Sequence, residues 1–545
     1  MNWSVARIVI ALVALNGCAG AGGTGGAPPR PGATLRSEDR VVIPTMVDVI
    51  GVAASDRMVF LATPEGLGVY DHRFSTWHPP LSRVDGWPGR EIIGMMEDPA
   101  DPEAVWFAGA LGVFRYRVGD DRVMRAIVGE PLTGGIGVPM DDPASGLVVR
   151  TASGRMLRVS SSGTVLPYIG NSRLRTPQGL AQVYARYPAL RNFERLLTQD
   201  GSLRSWPLRS AASLPTVSEV WFGSAGGGAF KVDPLFMRGE PRPFGLLSGG
   251  AGAITSAITG VWIGGSGFAA TGRSGLTYVT HDLQQWKWAD GAAGAPFPGG
   301  ARVQALSVFG SFVWAATDRG LVRVDAQSGN VDRRWDNASG LGSAIALSVL
   351  ATRDGAWVGT STGLTFAPNE PARDAVVNPA FTGAAVRGLV RRGDTLWMAT
   401  DIGVLALAPG ETQPRKLRAA DGDSRLALPI VAMASADSIV VVATSRGDVL
   451  RLNGTTGRSM DTISYLNTSR VGRINAIAID ARSVWVAGDV GVSVTERATH
   501  LERFVPVGLA IPGEALGVAL SNDFAWIAAR EGAVRLRRTA NGTLW

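Results

Sequence analysis

One motif, repeated along nearly the whole chain, limits what this sequence can fold into. It reads apolar residue, Trp or a substitute, apolar residue, then two small residues, with Gly six positions after the Trp. Clear copies are centred on Phe60, Trp106, Trp221, Trp314, Trp357, Trp397, Val441, Trp485 and Trp526, and weaker ones on Val148 and Trp262. Most steps between centres are 40–46 residues. The step of 52 after Trp262 carries an insertion before Gly275, and the step of 73 after Val148 leaves room for a twelfth copy near Ser202–Trp206. Self-similarity at such a period marks a repeat architecture.

The physics of one copy specifies its shape. Apolar residues alternating with small ones suit a strand buried on both faces. Gly following Asp, Ser or Thr makes a tight turn. Around Trp314 a second strand follows at Gly320–Asp325, a third ends at Trp335, and a fourth precedes the next Trp at 345–350. Four short strands per period make a propeller blade. Gly at 70 of 545 residues and the period-2 pattern exclude a helical solenoid. The expected fold is all-β: a β-propeller of about 11–12 four-stranded blades. That exceeds the usual ~4–8 per ring, so two rings are expected. We place the N-terminal propeller at 41–250 and the C-terminal one at 251–545. An interleaved division, with a strand from one terminus closing a ring begun at the other, is also open.

One stretch breaks the pattern. Residues 177–197 have helical apolar spacing, and Pro188 divides them into two short helices. This insertion carries Arg186, Arg191 and Arg195. It serves either as a brace for the ring junction or as a partner-docking face.

The N-terminus reads as an address. Arg7 precedes the apolar run Ile8–Leu15, too short to span a bilayer, and Asn16-Gly17-Cys18-Ala19 supplies small residues for cleavage. Leu15-Asn16-Gly17-Cys18 resembles the lipobox of bacterial lipoproteins, although Asn16 departs from the small residue usual there. The resemblance implies a signal peptide at 1–17, acylation of Cys18 and, from Ala19, outer-membrane sorting. Two or three acyl chains anchor stably where one does not. Residues 18–40 are Gly-rich, then Pro-rich, a composition suited to a tether. Cys18 is the sole cysteine, so an intramolecular disulfide framework is excluded.

Trp357-Val358-Gly359-Thr360-Ser361-Thr362-Gly363-Leu364 resembles the repeat of the two-component regulator propeller family, the blades of bacterial sensor proteins. Ser339-Gly340-Leu341-Gly342-Ser343 is similar to that family's inter-blade segment. The likeness covers about 45–540 and implies fold more than function, because the motif residues are structural. The chain also resembles the propeller body of a lipid-anchored secretion-system component.

Candidate chemistry is sparse. The formal charge is +7, but no run of five basic residues occurs, so nucleic acid is not an expected partner. His72, His78, His281 and His500 include no metal-ligand spacing. Asp98, Asp101 and Glu103, Asp141-Asp142, and Asp421-Gly422-Asp423 form acidic loops without the EF-hand pattern. Gly359–Gly363 matches the nucleophile-elbow spelling but sits in a blade hairpin. Thr280–Trp286 loosely resembles the Asp-box hairpin of sialidase-like propellers. The motif tryptophans read as core, and Trp77, Trp286, Trp288 and Trp335 as the better candidates for exposure. No catalytic, cofactor or metal residue is assigned. The expected function is a lipid-anchored, non-catalytic envelope propeller serving as a protein-interaction scaffold. The alternative is a ligand- or oligosaccharide-binding, sensor-like module; a glycosidase or lyase ranks third. Its partners are the membrane, through the acyl chains, and an envelope protein or glycan.

Overall fold

The computed structural model describes residues 39–544 apart from 121–122, 201, 268–272, 293–294, 371–372, 418–423, 464–468, 509 and 540–543. Cys18 with its flanking leader and tether, and Asp421-Gly422-Asp423, lie outside the described residues.

Each repeat is an antiparallel meander. Blade 6 shows why, with strands Val303–Phe309, Phe312–Thr317, Gly320–Asp325 and Val331–Trp335. In Phe312–Thr317, Val313 and Ala315 pack toward blade 5, while Trp314 and Ala316 pack toward blade 7. Both faces are thus covered, which is why this strand has no polar face. Thr317 Oγ1 donates to the Gly320 carbonyl at 2.7 Å and accepts from the Arg319 amide at 3.1 Å, closing the turn. Gly320 has φ +110°, and a Cβ there would lie 2.3 Å from the Trp335 carbonyl oxygen. The motif glycine therefore answers both a backbone and a packing demand.

Eleven blade sheets form among the described residues. Blades 1–4 occupy 51–82, 92–127, 132–167 and 208–242. Blades 5–10 occupy 251–289, 303–335, 346–382, 386–416, 430–463 and 474–506. Blade 11 takes three strands from 515–537 and its outermost from Arg40–Ile43, which pairs antiparallel with Gly532–Arg537. Blades 5–11 close a seven-membered ring: each inner strand meets the next, and Ala515–Leu520 meets Ala251–Ser256. In the other group, the inner strand of blade 1 lies against those of blades 2 and 4, and blades 2 and 3 share a core. Blade 3 lacks a regular inner strand; residues 132–137 pair with it through isolated bridges at Leu132 and Gly137.

No twelfth blade forms at 202–206 among the described residues. Instead, the Trp206 indole donates to Asp200 at 3.0 Å in a turn. The insertion forms α1 (Leu180–Arg186) and α2 (Leu190–Leu197), on either side of Pro188. Val183, Leu190 and Leu197 pack on Ala211, Val220, Phe222 and Phe230 of blade 4. They cover the face of that sheet turned away from blade 1, where another blade would otherwise stack.

The chain passes between the two groups twice, and the passages run side by side. Thr45 bridges Leu246 in parallel, and Leu246 donates its amide to the Pro44 carbonyl at 2.9 Å.

Candidate functional site

The junction between the groups holds a buried polar cluster. Arg273, almost wholly buried, lies over Trp206 and Trp288 at 5.2 and 5.0 Å from their ring centroids. Its guanidinium binds Asp290 at 2.7 Å and the Gly226 carbonyl at 3.0 Å. Arg204 joins Asp200 to Asp290. Burial opposes ionisation of Asp200, but hydrogen bonds from Arg204 and Trp206 outweigh it and hold the carboxyl below its usual range. Every charge has a partner, so the cluster locks rather than reacts.

Trp77 and Trp335 are buried, against the expectation of exposure. Trp77 stacks on Phe244 at 4.1 Å and Trp335 on Trp314 at 5.1 Å. Trp77 faces Phe244 at the inter-group passage and Trp335 faces blade 7, rather than solvent. Trp286 and Trp288 are half-buried at the junction; Trp286 meets Phe244 at 5.1 Å, and Trp288 donates to the Gly245 carbonyl at 2.9 Å.

The three insertion arginines separate. Arg186 is tied back to Ser213 Oγ at 3.2 Å. Arg191 is exposed and lies over Tyr184 at 5.7 Å; Arg195 is exposed on the same helix. On its other flank α2 exposes Phe193 (46%) and Leu196 (64%). Glu194, the only carboxylate on α2, is bound by the Tyr184 hydroxyl. The outer face of α2 is therefore apolar and cationic.

The acidic loop of blade 2 is saturated by arginine. Arg115 binds Asp98 at 2.8 Å and Asp101 at 3.0 Å, while Arg117 binds Asp101 and Glu103, each at 3.1 Å. His72 meets Glu219 at 3.1 Å. His78 and His281 are held below the usual imidazole range by burial. In the Gly359–Gly363 hairpin, Thr360 Oγ1 accepts from the Gly363 amide at 3.1 Å, as a turn does. Asp282 likewise accepts from the Gln284 amide at 3.0 Å. Among the described residues, no three His, Cys, Asp or Glu side chains converge as a metal site. No helix of the described residues is long and apolar enough to cross a membrane.

Two cavities stand out that motif reading missed. One, of about 480 Å³, lies on the axis of blades 1–4, between Val52, Ile93, Met95, Ile136 and Arg209. Ile93 and Arg209 are β-bulge residues; nine blades slip register by one residue at the start of the inner strand. A bulge re-aims its side chain, and no composition signal announces it. The other cavity, of about 560 Å³, opens at the seam between blades 7 and 8 over Trp357 and Phe366.

No protein-family model matches the chain, and no curated protein matches it. Among solved structures, the chain is similar to the extracellular domain of the putative one component system BT4673 from B. thetaiotaomicron. Identity there is 13%, over 91% of this chain and 71% of that one, with a TM-score of 0.41. It is similar to PorZ, a surface component of the type-IX secretion system of Porphyromonas gingivalis. That match has 11% identity over 90% and 68% of the two chains and a TM-score of 0.44. It is also similar to the computationally designed Ika8 protein, at 13% identity over 53% and 96% and a TM-score of 0.40. The propeller fold stands on the chain's own sheets, ring closure and repeat.

Proposed function

We propose that this chain is a non-catalytic binding module of a bacterial cell envelope, anchored by acylation of Cys18, and that the outer face of α2 docks an acidic surface of a partner protein. The observation that carries this reading is the α2 face itself. Phe193 and Leu196 stand exposed one turn apart on one flank of the helix and Arg191 and Arg195 on the other, with the helix's own carboxylate engaged by Tyr184. Exposed apolar anchors beside arginine are the composition of protein interfaces. The charge sign names an acidic partner surface. The helices rest on a rigid blade, so the face is presented without an ordering cost.

The test is affinity purification of the tagged full-length protein from mildly solubilised membranes, beside an Arg191→Glu/Arg195→Glu variant. A stoichiometric partner held by the wild type, weakened by salt and lost in the variant, is expected. Retention of that partner by the variant, or recovery of the wild type alone, overturns the docking reading. Cys18→Ser should move the protein out of the membrane fraction and remove the lipid mass.

A further inference from the structure

Eight blades carry Trp at the motif position, and seven of those indoles are buried. Trp357 of blade 7 is only half-buried. The residue opposite the indole on the paired strand differs between blades; Tyr278, Ala406 and Val494 face buried indoles in blades 5, 8 and 10. The strand paired beyond the Trp places a cation opposite it in blades 2, 4, 6 and 11, at Arg115, Lys231, Arg323 and Arg535. Arg323 lies 5.2 Å from the Trp314 ring and donates to the Asn369 carbonyl of blade 7 at 2.8 Å. Arg535 reaches the His281 carbonyl of blade 5 at 2.6 Å. In these two blades the guanidinium caps the neighbouring indole or strand and fills the seam to the next sheet. Blade 7 places Phe366 there instead. The two rings meet at 5.0 Å and 59°, and the seam to blade 8 opens into the 560 Å³ cleft. That size lies within the range of ligand pockets, ~300–1,000 Å³.

The chemistry of the cleft is specific. Trp357 and Phe366 form an aromatic floor with Leu350, and Leu396 and Leu407 of blade 8 form the wall. The rim carries planar polar groups of both kinds: Arg353 and Arg391, Asn378, and Asp354, Asp394 and Glu411. Arg391 donates to Asp394 at 2.9 Å, and Glu411 is fixed by the Ala408 amide at 2.9 Å. Three carboxylates against two guanidinium groups disfavour an anion. A half-exposed indole offers a flat apolar surface to the C–H face of a pyranose. Carboxylate, guanidinium and amide groups around it supply the paired donors and acceptors that ring hydroxyls require. We propose that the seam between blades 7 and 8 is a binding site for a neutral saccharide. It is independent of the α2 face and of the reading built on that face.

The test titrates the full-length protein with uncharged hexasaccharides (cello-, malto-, laminari-, xylo- and mannohexaose), followed by calorimetry and indole fluorescence. At least one should bind saturably below about 1 mM. Trp357→Ala should weaken it by at least roughly tenfold. Phe366→Arg installs the residue that fills the seam in blade 6; it should abolish binding while thermal unfolding stays at or above the wild-type temperature. The proposal fails if no hexasaccharide binds, if binding survives both substitutions, or if apolar hexapeptides displace the sugars as the tighter ligands.

Discussion

Ile43, in the first described strand, lies directly opposite Ala533, in the last. The seventh sheet of the large ring is therefore completed by residues from the other end of the chain. The two inter-group passages at 44–49 and 244–250 follow from this pairing. Val41, Val42 and Ile43 are buried in it. Ile43→Ala should cost about 2–4 kcal/mol, a large-to-small core change. Denaturant unfolding would show it as a lowered midpoint.

Trp314 and Trp357 hold the same motif position but not the same environment. Trp314→Ala removes a fully buried indole and should cost about 3–5 kcal/mol. Trp357→Ala should cost about 1–2 kcal/mol, because its indole is already partly hydrated in the cleft. Equal losses in chemical denaturation would contradict the half-exposed placement.

The Arg273 cluster should couple the two groups. Arg273→Met removes one of the two guanidinium partners of Asp290, Arg204 remaining, a loss of about 1.5–3 kcal/mol. Scanning calorimetry should then resolve two transitions where the wild type gives one.

The pH dependence has a fixed sign. Burial opposes ionisation of Asp480, but Arg538, by hydrogen bond and charge, holds its carboxyl below the usual range. Asp200 is depressed in the same direction. A depressed carboxyl contributes stability that is fully present above its unfolded value of about 3.9 and is lost as pH falls through the folded value. In the melting temperature, the carboxyl contribution should hold between about pH 7 and 5 and be lost below about pH 4, on top of a smaller decline through about pH 6.5 as His78 and His281, held neutral by burial, protonate more readily in the unfolded chain. In Asp480→Asn the plateau should be lower and the acid drop shallower.

Gly320→Ala should destabilise by more than about 1 kcal/mol, because it combines positive φ with a backbone clash. A melting temperature unchanged from wild type would sink this account of the motif.

How much of this was legible in sequence follows from where each signal resides. The apolar-small alternation of 312–317, the glycine at Gly320 and the helix-splitting Pro188 act through local sterics and periodicity, and so they announce blades, turns and the α1–α2 insertion directly. Arg191 and Arg195 were readable as candidates, whereas the tie from Arg186 to Ser213 needed the fold. Trp77 and Trp335 looked like exposed aromatics because sequence position says nothing of the sheet stacked opposite. The register bulge that re-aims Ile93 and Arg209 leaves no compositional trace. One difference at the cleft over Trp357 is Phe366, where blade 6 has Arg323. It has meaning only once cross-strand register sets that residue beside the indole and the next blade across from both. The repeat by itself determined the blade. Only tertiary packing decided that Arg40–Ile43 belongs to the last blade, which charges meet at Arg273 and which seam stays open. Those depend on surfaces brought together from hundreds of residues apart, and a linear pattern carries no information about what will lie across from it.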